Sequence, residues 1–348
     1  MKALVLEDYM KLVYREYPMP VLRGPDDVLV RVRAAAICGS DVHGMDGSTG
    51  RRIPPVVMGH EAAGEIVEAG AAVRDFRVGD RVTFDSTEYC GECFHCRRGE
   101  VNLCDNRRVL GVSCGEYRRD GAFAEYLVIP SRILYRLPEG LDFAAASIAE
   151  PAAVAAHAAA ITPVSMGDTM AVVGAGLIGL LLMQILRAHS PATIIAFDTD
   201  PERRKAAIAA GATAAFAPPS AGGDVETRTA IRELTSGRGV DRAFEAVGAT
   251  APIATAIEVV RKGGSVTLIG NVSPRVELPL QAVVTRQIAL FGSCATAGEY
   301  PLVLDLLAQG KIDPKSIISA VAPLSEGASW FSRLHAREKG LLKIVLEP

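Results

Sequence analysis

The stretch VVGAGLIGLL constrains this chain more than any other, because it joins an apolar β-type run to an apolar helix through Gly174, Gly176 and Gly179. A G-x-G-x-x-G turn in that setting lets the backbone bend tightly and approach a pyrophosphate, whose charge then meets a helix N-terminus. Leu177 and Ile178 fill the variable positions beside the expected phosphate contact. Asp198 lies nineteen residues beyond Gly179, at the end of the next apolar run, where an acid can bind ribose hydroxyls. The segment therefore predicts a dinucleotide site. A carboxylate at Asp198 repels the extra phosphate of NADP, and Arg203 can pack over the adenine or ribose. Arg204 adds positive charge of the kind an NADP enzyme uses, but the balance favours NAD.

From about residue 169 to 291, apolar runs alternate with helical stretches: TMAVVG, TIIAFD, VDRAFEAVG, GGSVTLIG and RQIALFG. That rhythm predicts a parallel sheet with helices on both faces. Asp200 is a candidate N-cap, Pro201 suits the first helical position, and Gly211 can close that helix. The Ala-rich stretch 143–161 reads as one helix, and PPSAGGD (218–224) as a surface loop. Residues before about 150 are different. Short β-prone runs such as DVLVRVRAAAI (27–37), EIVEAG (65–70), GDRVTF (79–84) and AFAEYLVIP (122–130) are separated by turn residues, as in a barrel-like β domain. The last fifty-odd residues return to mixed character, helix-like over 300–311 and strand-like over 341–348.

A net charge of −3 argues against nucleic acid or an anionic membrane as the main partner. The most apolar run, MAVVGAGLIGLLLM, is too short to span a bilayer, and the opening residues lack a signal-peptide pattern, so a cytoplasmic protein is expected. There, an odd number of cysteines with four of the seven inside residues 90–104 favours a metal site over disulfides. Cys90, Cys93, Cys96 and Cys104 have the spacing C-x2-C-x2-C-x7-C. Four thiolates close a tetrahedron around zinc and leave no position for a substrate, so this site is a brace. Chemistry needs another centre. Cys38, His60 and Glu61 supply one thiolate, one imidazole and one carboxylate, a mixed set suited to zinc with an open position. Adjacent residues of a regular strand point to opposite faces, so His60 and Glu61 can share an ion only if the backbone is irregular there.

The run G-H-E-x2-G-x5-G-x2-V, from Gly59 through Gly64 and Gly70 to Val73, resembles the signature of zinc-containing medium-chain alcohol dehydrogenases. C-G-S-D-V-H, the four-cysteine lobe, R-R-D-G-A-F-A-E-Y and the glycine turn extend the likeness over essentially the whole chain. A-E-P at 149–151 resembles the polyol (sorbitol-like) and threonine dehydrogenases. The resemblance implies an α/β fold: a Rossmann-type doubly wound sheet over 152–293, and a GroES-like β-barrel catalytic domain from 1–151 and 294–348, with the active site in the cleft between them. It implies Cys38, His60 and either Glu61 or Glu150 as catalytic zinc ligands, with Asp41 fixing the tautomer of His60. Ser40 and His43 match the positions that pass the alcohol proton outward while hydride goes to the nicotinamide. It implies a homo-dimer or tetramer joined through the coenzyme domains. The expected substrate is a small secondary alcohol of polyol type, with threonine-type amino-alcohol oxidation as the alternative. Gly44, Cys294, Ala295 and Thr296 replace the bulky and basic groups often found in sorbitol enzymes, so a different polyol, a sugar phosphate, a secondary alcohol or an amino alcohol fits as well as sorbitol. Cys294 is a candidate pocket-lining residue, and Cys114 reads as a buried thiol.

Overall fold

Residues Asp27–Ala36 form a ten-residue strand at the centre of a seven-stranded sheet. It pairs antiparallel with Glu61–Ala69 on one side and with Tyr126–Pro130 and Lys343–Glu347 on the other. The sequence explains the place. Val28, Val30, Val32 and the alanines 34–36 are buried, while Arg31 is exposed and Arg33 half-buried. Register shifts at Leu29/Val30 and Val32/Ala34 bend the pairing with Glu61–Ala69, as bulges do where a sheet curls. Strands Arg81–Phe84 and Leu134–Arg136 continue the sheet beyond Glu61–Ala69, and Ile318–Pro323 lies beyond Lys343–Glu347.

The computed structural model describes residues 1–189, 193–219 and 225–348, which fall into two units. The sheet above belongs to the first, Met1–Glu150 with Thr296–Pro348; the second is Pro151–Ala295. The core of the first unit gathers Leu4, Leu6, Val30, Phe84, Phe123 and Phe331 around the curled sheet. This unit is the GroES-like barrel.

The second unit is a six-stranded parallel sheet in the order Ala214–Phe216, Ile194–Phe197, Met170–Val173, Val240–Glu245, Val260–Leu268, Ala289–Gly292. The order reverses at Met170–Val173, the switch point at which a doubly wound fold binds ligands. MAVV and IIAF are buried at every position, the signature of strands covered on both faces. The edge strand Ala214–Phe216 has no counterpart in the sequence reading. Its ATAAF sequence is alanine-rich and half-buried, and its pairing with Ile194–Phe197 outweighs weak local propensity.

The helix Pro201–Ala209 is capped as its sequence suggests. The Asp200 carboxylate accepts the Glu202 N–H at 2.8 Å, and Gly211 adopts φ +104° just past the end. The Ala-rich stretch is not one helix. It divides into Phe143–Ser147, capped by Asp142, and Ala149–Ile161, with the break at Ile148. Pro151 explains the restart, since it lacks an N–H and is tolerated only in a helix's first turn. The segments over 300–311 and 341–348 form helix Tyr300–Ala308 and strand Lys343–Glu347. Of the loop expected at 218–224, residues 220–224 lie outside the described residues. No described helix is long and apolar enough to cross a membrane.

Candidate metal centres and coenzyme turn

Among the described residues two groups can hold a metal ion, each with donor atoms within 4.8 Å of one another: Cys90, Cys93, Cys96 and Cys104; and Cys38, His60 and Glu61. The first is built locally. Cys93 occupies the N-cap position of the short helix Phe94–Arg97, and the Cys90 and Cys96 sulfurs lie 3.9 Å apart. The Cys93 N–H donates to the Cys90 sulfur and the Cys90 N–H to the Cys104 sulfur, at 3.4 and 3.3 Å. N–H groups of Glu92 and Cys93 lower the Cys90 pKa to about 6. Backbone N–H groups stabilise the Cys90 and Cys93 thiolates while burial pushes Cys96 up to about 12; four converging sulfurs fit zinc. His95 is turned to Glu100, its Nδ1 2.9 Å from Oε2, and adds nothing to the donor set.

The second group depends on strand pairing. Ala36 pairs with Glu61, so the residues just past each strand end, Ile37–Cys38 and His60, are brought side by side. Cys38 occupies the N-cap position of helix Gly39–Met45. His60 precedes the strand, and Gly59 before it has φ +96°. This is the irregular backbone that lets adjacent His60 and Glu61 face one site. Gly59 also lies under Gly121, where a Cβ would stand 2.1 Å from the Gly59 carbonyl, so the turn is clamped by backbone.

Behind these donors sits a buried charge network. Asp41 is fully buried; its Oδ1 accepts from Arg52 Nη2 at 2.8 Å and Nε at 3.1 Å, and its Oδ2 faces His60 Nδ1 at 3.4 Å. Burial opposes ionisation of Asp41, but His60 and Arg52 outweigh it and hold the carboxyl well below the usual range. Burial likewise works against a charged His60, while Asp41 and Cys38 raise its pKa well above the ordinary imidazole value. With Nδ1 turned to Asp41, Nε2 is left for an ion. Asp41 Oδ2, His60 Nδ1 and Glu61 Oε1 are buried without a full hydrogen-bond partner, a combination that natural structures avoid unless something else satisfies it. Thiolate, imidazole and carboxylate with orphaned oxygen fit an open zinc site. Glu61 Oε2 is taken by Lys343, whose Nζ lies 2.6 Å away.

Glu150 stands outside the three-residue group. Its Oε1 accepts from Ser86 Oγ at 3.0 Å. Burial pushes its pKa up to about 7, the positive pull of His60 being too small to offset it and Glu61 adding to it. Ser40 and His43 lie on the exposed side of helix Gly39–Met45, three residues apart on one face, with Ser40 Oγ 3.3 Å from the Cys38 sulfur. Sequence reading missed Arg52, Ser86 and Lys343. Only Lys343 left a trace, as a lysine within the apolar run LLKIVLEP. A cavity of about 520 Å³ lined by Tyr17, Arg108, Arg118 and Leu127 includes none of the candidate residues.

In the second unit Gly174 closes strand Met170–Val173 at φ +98°, where a Cβ would meet Val247 Cγ2 at 2.6 Å. A Cβ on Gly179 would lie 1.9 Å from the Gly174 carbonyl, so helix Leu177–His189 can start there only with glycine. Gly176 has open space above it, as an approaching pyrophosphate requires. Leu177 and Ile178 form the first turn of the helix. Asp198, just past strand Ile194–Phe197, accepts the Ala175 N–H through Oδ2 at 2.8 Å and the Asp200 N–H through Oδ1 at 2.9 Å. Its charge is thereby fixed against the glycine turn. Arg203 is exposed, and Arg204 Nη1 is tied to the carbonyls of Asp198 and Thr199 at 2.8 and 3.0 Å.

A GroES-like barrel carrying two metal-ligating groups, followed by a Rossmann sheet with a dinucleotide turn, defines a zinc-dependent dehydrogenase. Family models agree: an alcohol dehydrogenase GroES-like domain matches residues 24–139 and a zinc-binding dehydrogenase domain matches 178–309. D-xylulose reductase A of Aspergillus oryzae is 34% identical over 347 residues, 99% of this chain and 96% of its own. Sorbitol dehydrogenase of Bacillus subtilis is 32% identical, covering 100% of this chain and 97% of its own. A protein described as a zinc-binding dehydrogenase from Sinorhizobium meliloti 1021, solved bound to NADP, superposes with a TM-score of 0.89 at 34% identity, over 100% of this chain and 99% of that one. The chain belongs to the zinc-containing medium-chain alcohol dehydrogenases, among relatives that are polyol dehydrogenases.

Proposed function

We propose that this protein oxidises a secondary hydroxyl of a polyol or sugar alcohol with NAD, using one zinc ion at Cys38, His60 and Glu61 and a second, purely structural, at the four cysteines. The observation that carries the reading is the convergence of Cys38, His60 and Glu61 with an unsatisfied Glu61 oxygen, in a chain that also holds a Gly176 turn open to a dinucleotide. When bound, the ion would lend Lewis acidity to the alcohol oxygen, and the nicotinamide coenzyme would supply the hydride acceptor. The chain's own groups do the rest. Asp41 and Arg52 hold His60 in one orientation. Glu150, outside the tight donor set and hydrogen-bonded to Ser86, serves as a nearby carboxyl rather than a direct ligand. Ser40, beside Cys38, relays the hydroxyl proton by passing its own on toward His43 on the same helical face, and His43 hands it to solvent.

Asp198 supports NAD, since its carboxylate, held at the glycine turn by the Ala175 N–H, would meet the ribose edge of a bound coenzyme, and Arg204 is tied to backbone carbonyls. Arg203 is the group left to pack on the adenosine. The 1–151 and 294–348 segments form the catalytic domain in this reading, and 152–293 the coenzyme domain. A homo-oligomer is supported by the open edge of strand Ala289–Gly292 and by exposed Val272, Leu280 and Val284 in the same unit. A cytoplasmic location is supported by a lobe whose four cysteines converge for a metal instead of pairing.

The test is a screen for NAD and NADP reduction over polyols, simple secondary alcohols and threonine. Polyols with NAD should give the highest kcat/KM. Asp198→Ala should narrow the preference for NAD over NADP at least tenfold. Threonine as the best substrate overturns the substrate class, and an unchanged coenzyme ratio overturns the NAD assignment.

A further inference from the structure

Lys343 is a fully buried ammonium that no step of the proposed chemistry uses. Side-chain exposure is 1% for both Lys343 and Glu61, with Nζ 2.6 Å from Glu61 Oε2. A second bond runs from Nζ to the Ile37 carbonyl at 2.9 Å. Burying an ammonium and a carboxylate costs several kcal/mol each, and only close pairing with additional hydrogen bonds offsets this.

Strand register shows how it arrives. Ala36 pairs with Glu61 on one side and with Val345 on the other. Lys343 lies two residues before Val345, so it shares that residue's face but projects past the end of the central strand, where the chain becomes Ile37 and Cys38. The Ile37 N–H also donates to the Ile344 carbonyl at 2.9 Å, which fixes the two segments against each other. The Lys343 ammonium takes Glu61 Oε2 and leaves Oε1 buried with no hydrogen-bond partner.

We infer that Lys343 is a positioning residue of the open metal site: by holding Glu61 Oε2 it restricts Glu61 to a single donor oxygen, Oε1, aimed with Cys38 and His60 at the ion. This rests on the reading of those three residues as the catalytic metal site. Without the lysine, the carboxylate is free to rotate, to chelate through both oxygens or to turn away. The strand Lys343–Glu347 is thereby part of the metal site although it supplies no ligand.

The experiment measures metal content, metal affinity by chelator competition, and the visible absorption of cobalt-substituted enzyme for wild type, Lys343→Met, Lys343→Arg, Glu61→Gln and the double variant Glu61→Gln/Lys343→Met. Lys343→Met should weaken binding at the open site 10- to 100-fold, the range typical for loss of a group that orients a ligand, and alter the cobalt spectrum. The four-cysteine site should keep one ion in every variant, which reports that the unit is folded. Lys343→Arg should restore most of the affinity. The double variant removes both charges, so it leaves no uncompensated buried ion, and it should match Glu61→Gln alone. Wild-type affinity and spectrum in Lys343→Met overturn the inference, as does a double variant weaker than Glu61→Gln. A wild type that holds only the four-cysteine ion overturns the metal-site reading beneath it as well.

Discussion

The two metal-ligating groups of the barrel unit use the same elements of chemistry in opposite ways. The four-cysteine lobe draws every donor from residues 90–104 and lets neighbouring backbone N–H groups steady the sulfurs. Three of its cysteines are half-buried, and its surroundings are solvated side chains such as Arg98 and Glu100. The Cys38–His60–Glu61 group draws its donors from two strand ends and surrounds them with buried charge: Asp41, Arg52, Lys343 and Glu150. The difference teaches that a centre meant only to brace can be assembled by local turns. In the proposed reading the other centre keeps a position open, and its donors are held by buried charged groups behind them.

The largest contrast should appear when each group loses a sulfur. Cys38→Ser should cut kcat at least 10³-fold and remove one zinc per chain while leaving the melting temperature within a few degrees; retention of both zinc ions, or of activity, breaks the comparison. Cys104→Ser should do the reverse. It should remove the other zinc and lower Tm by roughly 10 °C, with the surviving folded fraction still binding metal at Cys38. Equal losses of activity per folded molecule in the two variants would mean that the lobe is not merely a brace.

Asp85 sharpens the comparison by separating burial from ligation. It is a buried carboxylate in the same unit but in neither donor set, bonded to the Thr87 N–H and to Thr296 Oγ1. Burial raises its pKa from 3.8 to about 6, more than these hydrogen bonds lower it. The folded chain thus keeps a proton that the unfolded chain releases between about pH 4 and 6, and stability falls as pH rises through that window. The expected loss is about 2–3 kcal/mol, complete above pH 6. Asp85→Asn should recover most of it at pH 8 and nothing at pH 4, as read by denaturant unfolding. Equal gains at both pH values would show that charge is not the cause.

The parts of the fold written in local pattern were legible. The glycine turn, the caps at Asp200 and Gly211, the five principal parallel strands and the spacing of four cysteines all depend on residues close together in the chain. The strand Ala214–Phe216 and the break at Ile148 were not, since alanine runs carry no period and the outcome was decided by strand pairing and by one proline. In the site, Cys38, His60 and Glu61 could be picked out by type.

Sequence by itself determined which donors exist and that two domains of different rhythm carry them, because side-chain chemistry and hydrophobic period are properties of short stretches. Only the tertiary structure decided that Glu61 rather than Glu150 joins Cys38 and His60 within 4.8 Å, that Arg52 backs Asp41, and that Lys343 occupies one Glu61 oxygen. The Lys343–Glu61 contact follows from strand register, which brings positions 36, 61 and 345 abreast, and register is a relation between distant segments that no single segment encodes.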